Sequence, residues 1–173
     1  ASYQSGPGDV VLEVNPGNDN LLNFSLAAKT DGEAKLVWDG IDGSPALDYT
    51  GLGGFDLTNG GALDRITIPV AFDDLPVTLV MEVWTDSNYM SDAQLNLPGG
   101  IFSPVDYEIL FTSFVSSGSS GPADFSNVGM IVLDINVQYP GTDLQIDYIK
   151  ATPEPATLLL LILGCLPVLR RKR

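Results

Sequence analysis

Asp39, Asp42 and Asp48 stand close together with Gly40 and Gly43 between them, and Asp56 and Asn59 follow in the next glycine-rich stretch. Hard cations take roughly six to eight oxygens from flexible loops, so Asp39, Asp42, Asp48 and Asp56 are candidate ligands for a structural Ca²⁺. The spacing lacks the order and the closing glutamate of an EF-hand, and Asp with Gly also builds tight turns, so a turn reading stands beside the metal one. Trp38 and Trp84, with Tyr49, Tyr89, Tyr107 and Tyr139, suit a second chemistry. Flat aromatic faces pack against sugar CH groups while Asp and Asn bind the hydroxyls, which makes Trp38 and Trp84 the candidate carbohydrate contacts. Glu82 and Glu108 could form the carboxylate pair of a glycoside hydrolase, although any acidic chain of this kind offers such a pair.

Histidine is absent and Cys165 is the sole cysteine, which removes the Ser-His-Asp and Cys-His nucleophilic sites, the histidine base, and zinc held by nitrogen and sulfur. Within an apolar run, Cys165 reads as a small hydrophobe. No catalytic residue is assigned, and no cofactor beyond the candidate Ca²⁺. Charge is unevenly placed. Four of the eight basic residues are Arg170, Arg171, Lys172 and Arg173, so residues 1 to 169 carry −18, from four cations against 22 acids. Such a body repels phosphate backbones, which argues against nucleic acid as a partner. Asp outnumbers Glu 17 to 5, a bias that suits turns better than helices.

The elements that must position these groups read as strands. "GDVVLEVNPGN", "RITIPVAF", "VTLVMEVW" and "MIVLDINV" alternate apolar and polar residues with period two. In "VTLVMEVW", Val77, Leu79, Met81 and Val83 share one side, and Glu82 and Trp84 the other. Pro69 predicts a sheet edge or a bulge in its strand. Further strands are expected in 21–27, 33–38, 93–97, 105–111 and 144–149. Nine or ten short strands between turn signals predict an all-β, antiparallel β-sandwich of jelly-roll type over residues 1–150. The body is then followed by residues 151–173.

That last stretch has a different composition. Ala156 to Leu169 contains no charge, and Leu158, Leu159, Leu160, Leu161, Ile162, Leu163, Leu166, Val168 and Leu169 dominate it. As a helix it spans about 21 Å, short for roughly 30 Å of hydrocarbon, yet flanking arginines can snorkel and the bilayer can thin. Nine such side chains at roughly −0.3 to −0.6 kcal/mol each favour insertion as a short C-terminal transmembrane helix. The terminal cations stay on the cytoplasmic side, so the acidic body is expected beyond the membrane. Ala1-Ser2-Tyr3 has neither a basic start nor an apolar core, so an export signal is expected either to have been removed or to lie ahead of this stretch.

Pro153-Glu154-Pro155, the leucine-rich run and the Arg170-Arg171-Lys172-Arg173 cluster, in that order, resemble the PEP-CTERM sorting signal of Gram-negative bacterial envelopes. The resemblance implies recognition by an exosortase, a membrane transpeptidase that processes the tail and passes the protein to the cell surface or extracellular matrix. A plain membrane anchor is the rival reading. "WDGIDGSPALDYTGLGGFDLTNGG", with "ADFSNVGMIVLDI" and "PGTDLQIDYI", is similar to the repeat-free ectodomain of such proteins, which implies an exported β-sandwich without an assigned activity. The expected role is structural or adhesive in the envelope or matrix, with exopolysaccharide as a further partner. The alternative is a lectin-like or carboxylate-based hydrolytic protein carrying the same address.

Overall fold

The computed structural model describes residues 2–5, 8–14, 20–40 and 46–153. Asp42, Glu154, Pro155, the apolar run and the terminal cations lie outside them, and the expected sorting signal and transmembrane helix fall almost wholly there. Among the described residues no helix is long and apolar enough to cross a membrane.

The alternating segments form strands as expected. In chain order these are β1 (Ser2–Ser5), β2 (Val10–Val14), β3 (Leu22–Leu26), β4 (Asp31–Trp38), β5 (Arg65–Asp73), β6 (Val77–Trp84), β7 (Met90–Leu97), β8 (Val105–Leu110), β9 (Val115–Ser116), β10 (Met130–Val137), β11 (Asp143–Ile146) and β12 (Lys150–Thr152). They build two antiparallel sheets. Sheet I runs β1-β4-β10-β6-β7-β9, and sheet II contains β2, β3, β11, β5, β12 and β8. The alternation explains the sandwich: in β6, Val77, Leu79, Met81 and Val83 are buried while the residues between them are partly exposed. Leu133 and Ile135 of β10 join them from sheet I, and Phe24, Ile68, Leu144 and Ile146 meet them from sheet II.

β5 is an inner strand despite Pro69. Val70 faces both Ile146 and Val105, and Thr67 faces both Lys150 and Glu108, so β8 holds one edge while β11 and β12 share the other. The register shifts at Gln145 and Ile146, and the Asp147 amide donates to the Pro69 carbonyl at 3.0 Å. The proline, which has no amide to donate, thus sits opposite the irregular joint between β11 and β12, as the bulge expectation requires. In the stretch 144–149, expected as one strand, the strand ends at Ile146, and residues 147–149 form the joint that leads to β12. Pairing continues to Thr152, opposite Arg65.

Two buried ionisable side chains mark sheet II. Arg65, on the outer side, donates to Asp64 at 2.8 Å and to Glu108 at 2.7 Å, and these carboxylates hold its guanidinium still more firmly protonated than usual. Asp73, at the end of β5, is wholly buried, and neither carboxylate oxygen has a hydrogen-bond partner. Burial, chiefly, pushes its carboxyl up to about 6, with the neighbouring Asp74 charge adding to the rise. The Gly99 amide offsets part of this without reaching regular hydrogen-bond geometry.

Candidate functional site

Strand parity decides which side chains can meet. Trp84, Glu82, Val80 and Thr78 point away from the core on β6; Asp134 and Asn136 share that outer face from β10, Lys35 and Glu33 from β4, and Asp92, Gln94 and Asn96 from β7. The Trp84 indole donates to Glu82 at 2.9 Å. Tyr49 leans on its ring at a centroid distance of 4.9 Å and an interplanar angle of 58°. Beneath them Met130 and Val132 face outward, yet Val132 is only 1% exposed, so the platform has a closed apolar floor. Around it run hydrogen-bonding groups. Lys35 pairs with Asp134 at 3.2 Å, Thr78 and Gln94 both donate to Asn96 (3.0 and 2.8 Å), and Ser117 donates to Asp92.

Of the candidate metal ligands, Asp39 and Asp48 serve the loop that brings Tyr49 here. Asp39 accepts from the Asp48 amide at 3.0 Å, and Asp48 accepts from the Thr50 amide and hydroxyl, both at 2.9 Å. The Leu52 amide then reaches the Gly129 carbonyl at 2.9 Å. At Gly129 an added Cβ would collide with the carbonyls of Tyr49 and Thr85, so the loop can cross the sheet only over glycine. Asp56 caps a separate turn, accepting from the Thr58 hydroxyl at 2.6 Å and amide at 2.9 Å and from the Gly60 amide at 2.7 Å. Asp124 repeats the pattern on Ser126. These bonds hold three carboxyls below their ordinary range: Asp48 through the Thr50 amide first, Asp56 through the Thr58 hydroxyl, Asp124 through the Ser126 hydroxyl. Among the described residues no three carboxylates or thiols gather as a metal cage, and Asp42 lies outside them.

Trp38 and Trp84 do not share a surface. Trp38 pairs with Ile131 and so takes the inner parity of sheet I, where it opens at the mouth of a groove of about 1050 Å³ at one end of the sandwich. The groove floor is aliphatic, with Leu22, Leu36, Leu57, Ile66, Ile131 and Ile146. Trp38, Phe55 and Tyr148 stand at its rim, 39%, 54% and 38% exposed. Lys150 lies over the Tyr148 ring at 4.3 Å.

Glu82 and Glu108 are likewise separated. Glu82 is on the outer face of sheet I, and Glu108, held by Arg65, is on the outer face of sheet II. With both sheets between them they cannot flank one scissile bond, so the hydrolase pairing is corrected by parity. Asp92, Gln94, Asn96, Lys35 and Asp134 were not among the candidates. The outward positions of "MSDAQLNL" and "MIVLDINV" carry the signal that finds them.

No family model matches the chain, and no curated protein matches it in sequence. Among solved structures it is similar to a family 11 carbohydrate-binding module from Clostridium thermocellum in complex with a β-1,3-1,4-mixed-linked tetrasaccharide (TM-score 0.50, 16% identity, 88% of each chain covered). It is also similar to the family 11 module of the cellulosomal cellulase Lic26A-Cel5E of Clostridium thermocellum (0.51, 15%, 88% of this chain and 86% of that one). A likeness to PfGH50B (0.50, 13%) covers 90% of this chain and 23% of that one. These comparisons show a β-sandwich that resembles the fold of carbohydrate-binding modules. At such identities they establish the fold alone.

Proposed function

We propose that the chain is a non-catalytic carbohydrate-binding module whose ligand lies across the outer face of sheet I. The observation that carries the reading is the fixed aromatic pair: Trp84, tethered to Glu82 and braced by Tyr49, is surrounded by side chains able to donate and accept on four adjacent strands. A saccharide needs both an apolar surface for its CH groups and partners for its hydroxyls. The groove meets the first need with its aliphatic floor, while the polar side chains that line it, Asn20, Asp56, Asn59, Asp147 and Lys150, are all exposed and leave that floor without partners. Each hydroxyl buried there without a partner would cost about 1–3 kcal/mol, which outweighs what the ring face gains. Among the described residues Glu33, Glu82, Asp92 and Asp134 face Lys35 as the one cation on this part of the platform, so the ligand is a neutral glycan and not a polyuronate. The β-1,3-1,4-mixed-linked tetrasaccharide bound by one structural neighbour supports β-linked glycans as the first to test.

The tail supplies the address. Its likeness to a PEP-CTERM signal supports export, exosortase processing and release at the cell surface or matrix, where polysaccharide is at hand and an adhesive role follows from binding it. The test is affinity electrophoresis of the full chain against neutral β-glucans, galactans and a polyuronate. Retardation by a neutral glycan, reduced about tenfold by Trp84→Ala, is expected, since losing ~60 Å² of apolar contact removes roughly 1.5 kcal/mol. Trp38→Ala should leave retardation unchanged. Equal loss in both variants, or retardation by polyuronate alone, refutes the assignment.

A further inference from the structure

We propose that the aliphatic groove shelters the chain's own apolar segment, residues 156–169, until a membrane takes it over. The first ground is where the chain leaves the sandwich. Ala151 of β12 and Leu63 both line the groove, and the Asp64 amide donates to the Thr152 carbonyl at 3.2 Å, so Pro153 emerges beside the groove wall. Only Glu154 and Pro155 then precede the apolar run, a reach of about 7 Å. The second ground is chemical match. The run is apolar on every side, the character of a helix that must be covered, and the groove offers a leucine- and isoleucine-rich floor with few polar groups to leave unpaired. Charge is the third. Asp56 and Asp147 are exposed and line the same groove with Lys150, residues 1–150 carry −17, from four cations against 21 acids, and the run is followed by four cations.

A body that covers its own export signal stays dispersed in water and releases the segment where lipid competes for it. The equilibrium is between two apolar surroundings, so the groove must hold the run less tightly than a bilayer does.

Cys165 lies inside the run and is the only thiol, which makes it a unique attachment point in the full chain. The full chain labelled there with a benzophenone maleimide is photolysed in aqueous buffer, and crosslinked peptides are mapped by mass spectrometry. Intrachain links to residues 52–57 and 146–151 are expected, falling at least tenfold when phosphatidylethanolamine–phosphatidylglycerol vesicles are added. Phe55→Asp with Tyr148→Asp, both at the exposed rim, should lower the same links tenfold while the circular dichroism of the sandwich is kept. Links between chains would make a second copy the occupant and overturn the proposal. Links scattered elsewhere on the body, or links insensitive to the rim variants, would overturn it as well.

Discussion

Replacing Asp73 by asparagine should make the protein more stable at neutral pH and change little in acid. The carboxyl is wholly buried, has no hydrogen-bond partner, and is raised from 3.8 to about 6. A group whose folded value is raised binds its proton more tightly in the folded state. Its penalty is therefore small below the unfolded value, grows as pH climbs from about 4 to 6, and is complete above that. A rise of this size corresponds to a limiting penalty of about 3 kcal/mol. The uncharged amide that Asp73→Asn puts in the same site does not titrate, so the stability gap between variant and wild type should widen by about 2 kcal/mol between pH 4.5 and 8. Urea unfolding of both proteins at several pH values measures that gap, and the pH trend is unaffected by any constant difference in how the amide itself is solvated. A gap that stays flat, or narrows as pH rises, would refute the claim that Asp73 is buried without a partner.

Gly129→Ala should displace the Tyr49 loop, lowering the near-ultraviolet dichroism of Trp84 and saccharide retardation together, because the new methyl meets the Tyr49 carbonyl. Leu133→Ala, at the centre of the sandwich, should cost about 2–5 kcal/mol in urea unfolding. Asp56→Asn should flatten the acid limb of stability: the lowered carboxyl contributes above its unfolded value and loses that contribution as pH falls through the folded one. Since Asp39, Asp48 and Asp56 cap backbone amides, chelation with EDTA followed by return of millimolar Ca²⁺ should leave the thermal midpoint in place; a rise of several degrees would assign the loop to the cation instead.

The sandwich was legible because alternation is local: reading every second residue of "VTLVMEVW" and "MIVLDINV" separates core from surface. The same parity already placed Trp84 beside Glu82, and extended to "DGEAKLVW" it would have put Trp38 on the other face with Ala34 and Leu36. The brace by Tyr49 was out of reach, since it depends on a loop folding back over Gly129, about eighty residues further along. Asp73 was hidden for a similar reason. "FDDLP" reads as a turn, and only pairing with Leu144 draws the first aspartate inside. The aspartates of the Tyr49 loop and of the turn at Asp56 read as turn residues more readily than as cation ligands, and Asp-x-Thr spacing, seen at Asp48 and Asp56, is the cue for the turns.

The joint between β11 and β12 has a mechanical consequence. A pull transmitted through Pro153, as from an anchored terminus, loads β12 first, and β12 is held to β5 over only three residue positions. Beyond the joint, β11 is clasped by β5 on one side and β3 on the other. Tension should therefore peel away a short terminal ribbon and stop there, lengthening the tether while the rest of the molecule keeps its shape.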